Sequence, residues 1–148
     1  MKGIFQECEE IKYLDLSNFN TLKVSDMSFM FNKYFNLREI KGISQFNTSQ
    51  VMLIERMFND CQELDYLDLS NFDTSNAINM HFMFCGCKKL KEIKGINNFK
   101  TNNVSNMVSM FEQCEELQNL DLSNFDTSNI TDMSWMFNMC RKIKEIKG

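Results

Sequence analysis

Residues 120–127 read Leu-Asp-Leu-Ser-Asn-Phe-Asp-Thr, and residues 136–140 read Met-Phe-Asn-Met-Cys. The first stretch returns unchanged at residues 67–74 and with one change at residues 14–21, while a diverged form, Ile-Lys-Gly-Ile, occupies residues 40–43 and 93–96. Stretches that return at a fixed distance indicate a tandem repeat. The period therefore has to be established before any local secondary structure is assigned.

The period is measured most easily from the phenylalanine in each repeat to a methionine 11 residues later. These phenylalanines are Phe19, Phe46, Phe72, Phe99 and Phe125, and the steps between them alternate between 27 and 26 residues. Each longer step contains an additional glycine, Gly42 or Gly95, which is typical of a bulge or bend. The full period is therefore a 53-residue pair of units.

Each unit carries two apolar patterns. Leu120 and Leu122 alternate with polar residues, which predicts a short, half-buried strand. Met133, Met136, Phe137 and Cys140 follow the spacing i, i+3, i+4, i+7, which predicts one face of a short helix. Neither element could bury its apolar face alone, so we expect consecutive units to stack, with parallel strands on one face and helices on the other.

These patterns predict an α/β solenoid. We expect a right-handed, leucine-rich-repeat-like array with one short parallel strand and one short helix in each 26–27-residue unit. Residues 1–148 would form a single repeat domain of about five and a half units with a 53-residue double period and no evident caps.

Composition excludes several function classes. The net charge is −4, and the basic residues are scattered among acidic ones, so we expect no nucleic-acid partner. No stretch approaches the roughly 18 apolar residues of a membrane span, so we expect no membrane insertion. The N-terminal residues have no long apolar region and do not resemble a signal peptide, so the chain itself leaves the localisation unknown.

Five of the six cysteines occupy one register position, each three residues after a phenylalanine: Cys8, Cys61, Cys87, Cys114 and Cys140. Tyr34 takes this position in the remaining unit. A position that accepts both Cys and Tyr favours a buried apolar group over a disulfide framework. Adjacent units could still bring some of these residues within bridging distance.

The repeat resembles a known family. Leu-x-x-Leu-x-Leu followed by a phenylalanine, and then Met-Phe-x-x-Cys-x-x-Leu, is similar to the BspA-like leucine-rich repeats, most of all to a short-repeat subfamily found in bacterial and protist surface proteins. The resemblance covers essentially the whole chain. It implies surface display, with adhesion or protein binding at a cell-surface or extracellular location, and it carries no catalytic residues.

The position between the two apolar strand residues alternates in charge along the chain. Its occupants are Asp15, Lys41, Asp68, Lys94, Asp121 and Lys147. Stacked strands would align them in a charge ladder, which could act as a recognition stripe. We favour the alternative that neighbouring charges neutralise one another, since each exposed pair contributes only roughly 0.2–1 kcal/mol.

Aromatic residues form the best candidate binding surface. Phe29, Phe82 and Trp135 share one register position on the predicted helices, and Tyr13 and Tyr66 share an outward position on the strands. Aromatic anchors concentrate binding energy in protein interfaces. Packing between adjacent helices is an equally good explanation for Phe29, Phe82 and Trp135.

One histidine and one cysteine have a spacing that could bind a metal ion. His81 and Cys85 are spaced i, i+4 and could share an ion on one helix face. A structural zinc needs four ligands, and Cys87 belongs to the register of the core cysteines. We therefore predict no metal and no cofactor. Nor does any nucleophile-and-base set or phosphate-binding loop emerge.

The sequence thus predicts a non-enzymatic repeat protein that binds a protein partner, as yet unknown, or mediates adhesion at a surface. The alternative is a structural protein that stacks head to tail into a filament. Its end-to-end edges would be formed by Leu14 and Leu16 at one end and by Ile143 and Ile146 at the other. In that arrangement the Ile146 strand of one copy would pair with the Leu14 strand of the next.

Overall fold

The computed structural model describes all 148 residues and contains one short strand in every unit. The strands are β1 (Tyr13–Asp15), β2 (Glu39–Lys41), β3 (Tyr66–Asp68), β4 (Glu92–Lys94), β5 (Asn119–Asp121) and β6 (Glu145–Lys147), and we number the units by the strand that each contains. In β5 the central Leu120 is buried and its neighbour Asn119 is exposed. The predicted alternation and the parallel pairing are confirmed.

The six strands do not form one continuous sheet. They pair only as β1 with β2, β3 with β4, and β5 with β6, which gives three separate two-stranded parallel sheets. The predicted face of parallel strands is thus divided into three sheets, whereas on the turn side isolated parallel bridges join successive units: Asp26–Leu53, Leu53–Asn79, Asn79–Asn106 and Asn106–Asp132. The 53-residue double period is visible instead as a pairing pattern, because every sheet lies inside one pair of units.

Glycine at the end of the even-numbered strands explains the interruption. Gly42 and Gly95 have φ of 84° and 85°, in the left-handed region, and each leads into a 3-10 helix, Ile43–Gln45 or Ile96–Asn98. The 3-10 helix Ile96–Asn98 lies beside β5. The additional residue thus turns the chain out of the strand at each even-to-odd junction, which confirms the predicted bend.

The predicted helix in each unit is absent. Its place is taken by consecutive turns, because left-handed residues recur every four positions and interrupt any helix. These residues include Phe29 and Lys33, Arg56 and Asp60, Phe82 and Gly86, Ser109 and Gln113, and Trp135 and Met139. The apolar spacing i, i+3, i+4, i+7 is nevertheless buried in the four interior copies, since two successive turns place the same residues inside, whereas Met133 in the last copy is 47% exposed.

Backbone hydrogen bonds in these turns alternate between local and inter-unit partners. Met30 N–H donates to Met27 O over 3.3 Å and closes a turn, while Phe29 N–H donates to Glu55 O of the next unit over 3.1 Å. Only 7 of the 74 backbone hydrogen bonds lie within the strands and 3-10 helices. The bonds between units therefore offset the strain of the left-handed residues and hold the stack together.

A threonine after each of the strands β1, β2, β3 and β4 adds a second connection. The Thr21 hydroxyl donates to Asn47 O over 2.9 Å and accepts from Asn47 N–H over 2.8 Å. The same two bonds recur at Thr48, Thr74 and Thr101. The regular threonines thus join the backbones of neighbouring units, as a repeated structural position should.

The core is one cluster of 36 buried apolar residues. At its centre lies a column of phenylalanines from all six units, with neighbouring ring centroids 5.4–5.8 Å apart: Phe5, Phe31, Phe58, Phe84, Phe111 and Phe137. Burial of such side chains stabilises by roughly 1.5–3 kcal/mol each before entropy is counted. Among its secondary-structure elements, the structure has no helix with the length and apolar character of a membrane span.

Candidate functional site

The predicted aromatic column lies at a single left-handed position on the turn side of the stack. In order along the units, Phe29, Arg56, Phe82, Ser109 and Trp135 have φ between 55° and 63°. Phe29 and Phe82 are half-buried, whereas Trp135 is 66% exposed. Because the five residues share one backbone conformation and one register position, their side chains leave the backbone at equivalent places in successive units.

Arg56 joins the two phenylalanines of this column. Its guanidinium carbon lies 4.4 Å from the Phe82 ring centroid and 5.9 Å from that of Phe29. Lys2 Nζ lies 5.7 Å from the Phe29 ring. Such cation–π contacts stabilise by about 0.5–1 kcal/mol at exposed sites. Phe29 and Phe82 therefore serve packing between units, which was one of the two explanations that the sequence left open.

Trp135 has a different environment. It makes no stacking or cation–π contact, and Ser109 separates it from Phe82 in the column. Ser109 is only 2% exposed, so neighbouring groups cover it. His81 lies edge-on to Phe82, with ring centroids 5.4 Å apart. Of the three aromatic residues predicted in this column, Trp135 is thus the one available to a partner.

The two tyrosines project from the strand side. Tyr13 in β1 is 64% exposed and Tyr66 in β3 is 45% exposed. Glu39 in β2 is the register partner of Tyr13, and Glu92 in β4 is that of Tyr66. The tyrosines belong to different two-stranded sheets, but both line one surface depression, together with charged residues of the neighbouring units.

The charge ladder is divided into pairs. Lys41 Nζ lies 2.9 Å from Asp15, and Lys94 Nζ lies 2.8 Å from Asp68. No ion pair joins Lys41 to Asp68 across the β2–β3 junction. The predicted neutralisation holds inside these two sheets, but the predicted continuous ladder is wrong because strand pairing stops at each glycine bend.

Asp121 and Lys147 belong to the same row but form no direct ion pair. The charge of Lys147 contributes to a lowered pKa of Asp121, although hydrogen bonds from Ser123 are the main cause. The Asp68 pKa is lowered to about 2, first by the hydrogen bond from Lys94 and then by the hydroxyl and backbone N–H of Ser70. Every aspartate of this row is thus held in its charged form by local donors.

The proposed end-to-end residues are buried to different degrees. Leu14 and Ile143 are half-buried, and Ile146 is 43% exposed. Leu16 is fully buried, and its N–H already donates to Lys41 O over 2.8 Å. Leu16, directly after β1, is therefore buried and its N–H is already bonded to the neighbouring unit.

All six cysteines are free thiols. Cys61, Cys87 and Cys114 are fully buried, and each sulfur donates to a phenylalanine carbonyl of the preceding unit over 3.1–3.2 Å. Burial raises the pKa of these thiols well above the usual value. They are packed groups of low reactivity.

The residues considered for a metal do not converge. His81 Nδ1 lies 2.8 Å from Asn79 Oδ1, and Cys87 donates to Phe58 O. Burial and the nearby Arg56 lower the His81 pKa. No three His, Cys, Asp or Glu side chains lie close enough together to hold a metal ion.

A second row of charges was not anticipated from the sequence. Lys89 pairs with Glu63 over 2.7 Å, and Lys142 with Glu116 over 2.7 Å. Arg38 also reaches Glu63, over 3.6 Å. With Asp65 and Lys91, several of these residues line a shallow groove. Charge alternation in the register of residues 63, 89, 116 and 142 was the signal that could have revealed this row.

Comparison with known proteins gives one match. The family described as "Mycoplasma protein of unknown function, DUF285" matches residues 1–94 and residues 68–147, so the two regions overlap and cover nearly the whole chain. This match supports the resemblance to BspA-like repeats at the level of the repeat family and does not identify a subfamily. No significant match was found among curated proteins, and none among solved structures.

Proposed function

The chain belongs to the DUF285 family, and from its surface we propose that it is a non-enzymatic repeat protein that binds a protein partner or mediates adhesion at a surface. One observation carries this proposal. Trp135 and Tyr13, which are 66% and 64% exposed, are held on a backbone whose units are hydrogen-bonded to one another.

Rigid, exposed aromatic side chains favour binding over simple solubility. A tryptophan or tyrosine loses little rotamer entropy on binding and buries a large area, and for this reason such residues are common among interface hot spots. The stacked turns and strands fix the backbone beneath them in advance. Binding would therefore require little ordering of the protein itself.

The distribution of charge supports a protein partner over a polyanion. Acidic side chains face basic ones in both charge rows, and the chain carries a net charge of −4. A nucleic-acid surface would require an uncompensated basic stripe. The groove that contains Arg38, Glu63 and Lys89 is lined only by charged residues, which argues for a binding surface and against a catalytic pocket.

We further infer that the stacked units form a right-handed, leucine-rich-repeat-like solenoid. Support comes from the parallel strand pairs, since parallel crossovers are right-handed in nearly all proteins. The BspA-like resemblance favours the short-repeat subfamily of surface proteins and a cell-surface or extracellular location.

Selection from a displayed peptide library tests the binding proposal. Peptides enriched on the wild-type protein are measured against a Trp135→Ala, Tyr13→Ala double variant, and we expect at least about tenfold weaker binding because hot-spot truncations remove that much affinity. A Glu145→Ala, Asn119→Ala double variant, at exposed positions in β6 and β5, is the matched control. Failure to enrich any peptide, or equal loss in the control, would contradict the proposal.

Head-to-tail association is the second candidate. The observation that favours it is Ile146, an apolar strand residue that remains 43% exposed. The joint would be an even-to-odd junction, like that between β2 and β3, where the strands do not pair and an isolated parallel bridge, Leu53–Asn79, joins the turns. The contact would therefore rest on turn stacking. Light scattering that rises with concentration, and is reduced by Ile146→Asp, is the expected result; a constant monomer mass would contradict it.

A further inference from the structure

We propose that the exposed Trp135 ring, together with Phe82 two units earlier in the column, binds an arginine side chain of the protein partner. The inference rests on the proposed binding function and specifies the chemistry of one contact. It is based on an intramolecular stack in the same column, two units earlier, in which an arginine lies between two aromatic rings.

The internal arrangement is Phe29, Arg56 and Phe82. The Arg56 guanidinium carbon lies 4.4 Å and 5.9 Å from the two ring centroids, so one planar cation fills the space between aromatic residues two units apart. Rings in neighbouring units of the core column are 5.4–5.8 Å apart. The stack therefore repeats at a distance that suits alternating aromatic and guanidinium planes.

Phe82 and Trp135 are also two units apart, with the same left-handed backbone position between them. That position is held by Ser109, whose φ of 55° equals that of Arg56. A serine has no long side chain, so no group of this chain is stacked between the two rings. Trp135 is 66% exposed and makes no stacking or cation–π contact.

The chemistry favours arginine over other side chains. Arginine stacks on aromatic faces through its planar, weakly hydrated guanidinium, whereas lysine carries a compact and strongly hydrated charge. Glu112 and Asp132 lie three residues from Ser109 and Trp135 along the chain, and the whole protein has a net charge of −4. A cationic group is thus electrostatically favoured at this part of the surface.

The test uses Trp135 as a reporter, since it is the only tryptophan in the chain. The indole N–H resonance of the full-length protein is followed by NMR during titration with the peptide acetyl-Gly-Arg-Gly-amide, and in parallel with its lysine and norleucine counterparts. We expect a saturable shift with the arginine peptide and binding about two- to fivefold weaker with lysine. Equal shifts with the three peptides would overturn the proposal.

Two variants locate the effect. Ser109→Arg should recreate the internal arrangement and abolish the saturable shift, and its backbone should be tolerated because Arg56 has the same φ. Phe82→Leu should weaken arginine-peptide binding about two- to fivefold. Unchanged binding by folded Ser109→Arg protein would overturn the inference. Library selection is a separate measurement. If the arginine peptide does not bind but library peptides still depend on Trp135, the arginine site is wrong and the proposed binding function stands.

Discussion

Lys94 Nζ lies 2.8 Å from the Asp68 carboxylate, across the β3–β4 pair. The contact is representative of the whole surface, because every ion pair except Arg38–Glu63 joins an odd-numbered unit to the even-numbered unit that follows it. Strand pairing obeys the same rule. The 53-residue double unit is thus the structural repeat of this protein.

Reversal of one charge tests the pairing inside a double unit. Asp68→Lys places two lysines opposite each other in β3 and β4, and we expect a loss of about 0.2–1 kcal/mol in the free energy of unfolding. The loss should shrink as salt is added, since exposed charges are screened. Thermal unfolding at low and high ionic strength measures both effects.

The control is Glu39→Lys, a charge reversal in β2 at a residue that forms no ion pair. A melting temperature of Asp68→Lys that equals that of wild type at low salt would refute the stabilising role of the Asp68–Lys94 pair. Because Lys41 pairs with Asp15, we expect no further contribution from Lys41 to the cost of this change.

The glycine bend gives the second prediction. A Cβ at Gly95 would lie 2.3 Å from Ser70 Cα and 2.5 Å from Ser70 N, and φ is +85°. Gly95→Ala should therefore cost more than the about 1 kcal/mol of left-handed strain alone, since the backbone of the neighbouring unit must move. Urea unfolding measures the loss in the free energy of unfolding.

Gly3→Ala is the matched control for that variant. Gly3 is also left-handed, with φ of +57°, but its added Cβ would meet the flexible Gln6 side chain at 3.2 Å. Gly3→Ala adds left-handed strain without a backbone clash, so it should lower the free energy of unfolding by less than Gly95→Ala. If the two variants were equally destabilised, close approach of Gly95 to Ser70 would not be the cause.

The strand and its period could be predicted from the sequence because they leave strong local signals. Leu120 and Leu122 alternate with polar residues, and Gly95 marks the bend in every second unit. The turns were mistaken for a helix because one apolar spacing fits both structures. Left-handed positions are occupied by residues such as Arg56 and Trp135, which carry no turn signal of their own.

The candidate site could be predicted only in part. The register correctly brought Phe82 and Trp135 into one column, since stacking preserves position along the period. It could not reveal that Arg56 lies between Phe29 and Phe82, because a side-chain stack depends on rotamers and not on spacing. The division of the charge ladder was missed for a similar reason, as it depends on where strand pairing ends.

The buried cysteines give the third prediction. Cys114 is fully buried, and its sulfur lies 3.2 Å from Phe84 O. Cys114→Ala should cost about 1–2 kcal/mol through lost packing. Cys85→Ala, at a half-buried thiol outside the core register, should cost less. The loss should be the same with and without reductant, because all six cysteines are free thiols; a reductant-dependent loss would indicate a disulfide.

Acid unfolding gives the last prediction. The pKa of Asp68 is lowered from 3.8 to about 2 in the folded protein, chiefly by the hydrogen bond from Lys94. A lowered carboxyl pKa stabilises the fold fully above the unfolded value and loses this contribution as pH falls through the folded value. Stability should therefore decline between about pH 4 and pH 2, by less than about 1 kcal/mol from this residue because solvent screens the pair.

Asp68→Asn isolates that contribution. The variant should be less stable than wild type at neutral pH, and the difference should narrow toward pH 2, where the wild-type carboxyl also becomes protonated. The urea midpoint measured at intervals from pH 7 to pH 2 gives the comparison. Asp65→Asn, at a longer 3.9 Å ion pair with Lys91, should change the midpoint less. A gap between wild type and Asp68→Asn that stays constant over this range would mean that the aspartate acts through packing rather than charge.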